Sequence, residues 1–129
     1  MSRAINQQPR AFRQLTIPRS QLQEGVFGPS NELVPWGALA TLHLDAGELQ
    51  ERLGIAFSDS HDDLDYLKVA LLELPSAQRV ALIEHRHAPV SGTEVHGDAE
   101  HPLAAARLLA EVRDTLGLAE DDVAWQRYG

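Results

Sequence analysis

Histidine is the residue type in this chain whose clustering could support chemistry. His85 and His87 lie two positions apart on a predicted strand, so both rings would project from the same face. His96 and His101 follow them, with three acidic residues interspersed. Two imidazoles with a third nitrogen or a carboxylate form many zinc and non-haem iron sites. One hypothesis is therefore a small metal-dependent enzyme that binds Zn or Fe through His85, His87 and His96.

The same histidines also permit a simpler interpretation. A cupin-type metal site would place a glutamate shortly after a His-x-His pair, whereas Glu94 comes seven residues after His87. The chain has no second histidine box with matching glycines. The competing interpretation is that these histidines lie at the solvated end of a hairpin and in the loop after it.

A second candidate site is the acidic run at residues 59–65. Its side-chain oxygens alternate as they do at the start of an EF-hand calcium loop, but Leu64 replaces the required glycine and Ala70 replaces the closing glutamate. The run is therefore predicted to be a solvated acidic turn. Carboxylates on such a turn can steer a basic protein towards it. The predicted binding residues are Asp59, Asp62, Asp63 and Asp65.

The distribution of charge along the chain points the same way. Arg3, Arg10, Arg13 and Arg19 are the only charged residues before Glu24. The remainder carries seven basic against nineteen acidic side chains, a net charge of −12. Such a body repels phosphates and anionic membranes and attracts basic partners. We expect a basic protein partner rather than a nucleic acid or a membrane.

Several classes of function find no support in the sequence. The chain has no cysteine, which excludes disulfides, thiolate metal sites and a cysteine nucleophile. It has no phosphate-binding glycine motif and no nucleophile elbow. Without a secretory signal or a membrane-length apolar run, we expect a cytoplasmic protein. The preferred function is a non-catalytic protein-binding domain with an acidic surface, of inhibitor or immunity-protein type.

Two helices are predicted among the elements that must position these side chains. Asp45 and Glu48 have the spacing of a capping box, and Gly54 can end the helix, which gives a helix over 46–53. The second helix covers 102–116, where Pro102 suits the first turn and apolar residues recur every three or four positions.

The strands are predicted around a central hairpin formed by 66–74 and 79–87. Shorter strands are predicted near 12–17, 38–43, 93–96 and 123–128, and 19–35 is predicted to be irregular because it is rich in turn-forming residues. The predicted fold is a single α+β domain over 1–129, in which 1–10 form a flexible basic arm. It has a mixed, mostly antiparallel sheet of four to five strands with two helices packed on it.

Overall fold

The fold is described from a computed structural model of the chain. The structure describes residues 12–25, 37–61, 65–87 and 92–127. The predicted arm at 1–10, most of the segment predicted to be irregular, and both Asp62 and Asp63 lie outside the described residues.

Across the described residues the chain forms seven strands and three α-helices, which confirms the α+β class. The strands are β1 Arg13–Leu15, β2 Ala38–Leu42, β3 Ser58–His61, β4 Tyr66–Glu73, β5 Arg79–His85, β6 Thr93–Gly97 and β7 Val123–Gln126. The helices are α1 Arg19–Glu24, α2 Ala46–Leu53 and α3 Pro102–Leu116, and a short 3-10 turn, Glu120–Asp122, precedes β7.

All the strand pairs in this sheet are antiparallel. The strand order is β1-β4-β5-β6-β2-β7, and β3 also pairs with β4. Because β1 pairs with the end of β4 at Leu71–Glu73 and β3 with its start at Tyr66–Val69, the two short strands share one side of the long one. The sheet is therefore larger than the four to five strands predicted, and it is antiparallel rather than mixed.

The core lies on both faces of the sheet. The larger apolar cluster joins one face to α2 and α3, and it includes Leu72 and Leu82 from the central hairpin together with Leu49 and Val112 from the helices. The smaller cluster, on the opposite face, includes Ile83 and receives side chains from α1 and the segment before it. Successive side chains of β4 and β5 point to opposite faces of the sheet, so these two strands contribute apolar side chains to both clusters.

Helix α2 begins and ends as predicted. Asp45 Oδ1 accepts a hydrogen bond from Glu48 N at 2.8 Å, and Glu48 Oε1 accepts one from Asp45 N at 3.1 Å, which completes the capping box. Gly54 adopts the left-handed conformation that ends the helix. Helix α3 also matches its predicted range, and the Nδ1 atom of His101 caps it by accepting a hydrogen bond from Leu103 N.

Two elements were not predicted. Helix α1 lies where an irregular segment was expected, and at six residues it is too short to show an apolar period. Strand β3 covers the first part of the predicted acidic turn. Its sequence, SDSH, is polar, and it pairs with only the first half of β4. Ser60 and His61 bond to carbonyl oxygens in the last turn of α1. Within the described residues, no helix has the length and apolar character that crossing a membrane requires.

Candidate functional site

We call one end of the sheet the polar end: β3 ends there, β4 begins, β5 ends and β6 begins. The registers bring these strand ends together, and α2 begins shortly after β2 ends on the same side. On the face of the sheet that carries the larger apolar cluster, the side chains change from apolar to charged towards the polar end. Along β4 and β5 the cross-strand pair Ala70–Leu82 is apolar, and the next pair on that face is Lys68–Glu84. Side chains beyond the apolar core therefore face one another at this end.

A cleft of about 660 Å³ opens at the polar end, and this volume lies in the range of small-molecule pockets. Three carboxylates, two cations and an aromatic ring line it: Asp45, Asp59, Glu84, Lys68, Arg86 and Tyr66. Tyr66 is 65% exposed, one of the most exposed large hydrophobic residues among those that the structure describes. The cleft therefore combines negative charge with an accessible aromatic surface.

Its charges form a row across three neighbouring strands. Asp59 of β3 lies opposite Lys68 of β4, and Lys68 lies opposite Glu84 of β5. The Lys68 ammonium contacts Asp59 Oδ1 at 3.1 Å. Glu84 Oε2 accepts a weak hydrogen bond, at 3.4 Å, from Ala46 N in the first turn of α2. One cation thus lies between two carboxylates in this row, and the positive end of the α2 dipole favours the negative charge of Glu84.

Each of these three carboxylates bonds to the described residues through only one of its oxygens. Asp45 bonds through Oδ1 to the capping box, Asp59 through Oδ1 to Lys68, and Glu84 through Oε2 to Ala46. The second oxygen of each accepts no hydrogen bond from a described residue. Three carboxylate oxygens are therefore available to a donor that enters the cleft.

Asp65, one of the four predicted binding residues, has a different environment from Asp59. The Asp59 side chain is 86% exposed, whereas the Asp65 side chain is 11% exposed. The Asp65 carboxylate accepts hydrogen bonds from His87 N and His87 Nδ1, each at 2.7 Å, and from Tyr66 N at 2.8 Å. The backbone hydrogen bond from His87 is the main reason that the pKa of Asp65 is lowered. Asp65 therefore fastens the ends of β4 and β5 together.

The three histidines predicted as metal ligands fall into two groups. The Nε2 atoms of His96 and His85 lie 2.9 Å and 3.4 Å from the same oxygen of Glu94, whereas His87 lies beyond the end of β5 and contacts Asp65. The hydrogen bond from His96 lowers the pKa of Glu94, against the opposing effect of partial burial. Among the residues that the structure describes, no three His, Asp or Glu side chains are arranged to hold a metal ion.

The sequence analysis identified Asp59 but missed most of the cleft. A signal was present at Lys68, a charged residue inside a strand that is otherwise apolar up to Glu73. A polar residue facing a core at one end of a strand indicates that the core ends there. Comparison of the chain with protein-family models, with curated proteins and with solved structures found no match.

Proposed function

We propose that this chain is a non-catalytic protein-binding domain, of inhibitor or immunity-protein type, and that it binds a basic partner at the cleft. The observation that carries the proposal is the lining of the cleft, which holds the carboxylates of Asp45, Asp59 and Glu84 and an exposed tyrosine. A lysine or arginine of the partner can donate to carboxylate oxygens that no described residue uses.

The exposed ring of Tyr66 suits the same role. Tyrosine is enriched at protein interfaces because it supplies a large contact area and loses little rotamer freedom. A cation over the face of its ring gains a cation–π attraction of about 0.5–1 kcal/mol at an exposed site. Together with the flanking carboxylates, this ring can form the centre of a small interface.

The charge of the whole chain supports the approach of such a partner. The body after the arginine-rich first nineteen residues carries a net charge of −12, and Glu120–Asp122 precede β7 at the polar end. Long-range attraction of this kind raises the association rate of a basic partner and weakens as salt increases. Asp62 and Asp63 are proposed to add to this field, and we propose that the protein acts in the cytoplasm.

The environment of Asp65 alters the expected contribution of the acidic run. The carboxylate of Asp65 is mostly covered and already accepts three hydrogen bonds, so replacing it would disturb the hairpin as well as the charge. The binding surface is therefore proposed to consist of the cleft carboxylates with Asp62 and Asp63, while Asp65 fixes the strands that carry them.

An NMR titration with a hexa-arginine peptide tests the proposal. Amide signals of the ¹⁵N-labelled protein at Asp59, Tyr66 and Glu84 should move first, and the shifts should shrink as salt is added. Asp59→Asn should weaken binding, and the matched variant Asp98→Asn should not. Asp98 is also exposed, makes no hydrogen bond or ion pair with a described residue, and lies just beyond the opposite end of β6.

Two results would contradict the proposal. One is a peptide that shifts signals over the whole surface with no preference for the cleft, which would indicate only general attraction to an acidic protein. The other is equal weakening by Asp59→Asn and Asp98→Asn.

Metal analysis of the purified protein tests the separate hypothesis that His85, His87 and His96 bind Zn or Fe, since a bound metal would be present in stoichiometric amount.

A further inference from the structure

The only lysine of this chain lies in the cleft. Its ammonium is 3.1 Å from Asp59 Oδ1, and its strand position places it between Asp59 and Glu84 in the cross-strand row. Arg86, the other described cation that lines the cleft, makes no ion pair with a described residue. The cleft therefore already binds one side-chain cation of its own.

We propose that Lys68 is an internal substitute for the cation of the partner, and that a lysine or arginine of the partner displaces it from Asp59. This inference rests on the proposed function and specifies how the same site is occupied. The partner would present a protruding basic side chain, which enters beside Tyr66 and takes over the carboxylate that Lys68 uses in the free protein.

The exposure of the ion pair makes this exchange feasible. The side chains of Lys68 and Asp59 are 52% and 86% exposed, so water screens their attraction and the pair contributes little to stability. A released ammonium at such a position is readily hydrated, and the flexible lysine stem can turn towards solvent. The incoming cation gains Asp59 in a cleft that Asp45 and Glu84 also line, whereas Lys68 loses only one exposed contact.

The exchange also means that Lys68 competes with the partner. Removing its charge while keeping its aliphatic stem, as in Lys68→Met, should strengthen binding of a hexa-arginine peptide about two- to fivefold, the range expected for loss of an exposed ion pair. Lys68→Arg keeps the charge and should leave the affinity close to that of the wild type. Any modification that neutralises Lys68 would act in the same direction as Lys68→Met.

Because the chain has a single lysine, the displacement can be observed directly. Reductive methylation with ¹³C-formaldehyde preserves the positive charge and labels Lys68 and the terminal amine, which differ in chemical shift. The Lys68 signal in the free protein should differ from that in Asp59→Asn, where the ion pair is lost. Saturating hexa-arginine peptide should move the wild-type signal to the position seen in Asp59→Asn.

The outcomes separate the two proposals. If the peptide shifts the amides of the cleft while the Lys68 methyl signal stays in place, a partner binds there without displacement and the inference is wrong. If Lys68→Met strengthens binding equally in the wild type and in Asp59→Asn, the effect is general repulsion and the inference is again wrong. If the peptide does not bind at the cleft at all, the proposed function fails and the inference fails with it.

Discussion

Replacing Asp45 with alanine should destabilise the protein through the start of α2. The change removes the 2.8 Å hydrogen bond to Glu48 N, which contributes about 0.5–1.5 kcal/mol, and a negative charge at the helix N-terminus, which contributes about 0.3–1 kcal/mol. Glu84 still bonds to Ala46 N and Glu48 still bonds to the backbone N of residue 45, so the first turn keeps two carboxylates. The expected loss of unfolding free energy is therefore about 1–2 kcal/mol, within the usual range for a lost N-cap.

The loss should reach the core because α2 is attached through buried residues. Leu49 and Ala46 are almost completely buried, so fraying of the first turn weakens their contacts with the sheet. For a chain of 129 residues the unfolding entropy is about 0.27 kcal/mol per degree, so the melting temperature should fall by about 4–7 °C. Urea melts followed by circular dichroism give the free energy, and thermal melts give the temperature.

Asp45→Asn provides the matched control. Asparagine caps a helix about as well as aspartate, so this variant keeps the hydrogen bond and loses only the charge, at a cost of about 0.3–1 kcal/mol. A loss below about 0.3 kcal/mol for Asp45→Ala would refute the capping explanation. Equal losses for the two variants would show that charge, and not the hydrogen bond, stabilises this helix.

Three further predictions concern the sheet and its polar end. Leu72→Ala should cost about 2–5 kcal/mol in urea melts because Leu72 is fully buried in the larger core, and a loss below about 1 kcal/mol would mean that β4 is not central. Gly92→Ala should lower the melting temperature and broaden the amide signals of β6, because Gly92 has a φ of +137° and an added Cβ would collide with the Leu42 carbonyl oxygen. Stability should fall as the pH drops through the lowered pKa values of Asp65 and Glu94. Each is more acidic folded than unfolded, so its contribution is present above its ordinary pKa and is lost below it. When the unfolding free energy is measured against pH, Asp65→Asn and Glu94→Gln should each reduce the loss of stability in acid. An unchanged dependence on pH would contradict the assignment of that loss to these two carboxylates.

Local signals explain what the sequence could predict. The limits of α2 and α3 depend on residues a few positions apart, such as Asp45 with Glu48 and the glycines at the helix ends, so both helices could be placed from sequence alone. The hairpin of β4 and β5 was predicted from its apolar runs, although β5 ends at His85 and not at His87. Because that strand ends early, His87 faces Asp65 and is separated from the other two histidines.

Non-local pairing explains what the sequence could not predict. Strand β3 has no apolar alternation, and it forms because β4 offers an unpaired side to Ser58–His61. The cleft depends on β3, β4, β5 and the start of α2 together, so no window of sequence contains it. For the same reason the sequence predicts the same binding role for Asp65 and Asp59. In the structure the Asp65 carboxylate instead accepts a hydrogen bond from His87 N at the end of the hairpin.

The salt dependence of association tests the central claim most directly. Stopped-flow binding of a labelled hexa-arginine peptide should be compared for the wild type, for Asp59→Asn/Asp62→Asn/Asp63→Asn, and for a control that removes the same charge elsewhere. The control variant combines substitutions at three exposed carboxylates that bond to no described residue, Glu51→Gln, Asp98→Asn and Asp114→Asn.

The account predicts a wild-type association rate that falls steeply with salt, and a rate for the aspartate variant that is at least about threefold lower at low salt. The two rates should converge at high salt, where charges are screened beyond about 3 Å. The control variant should stay close to the wild type throughout. Equal slowing of both triple variants, or a wild-type rate that is indifferent to salt, would contradict binding at the acidic cleft.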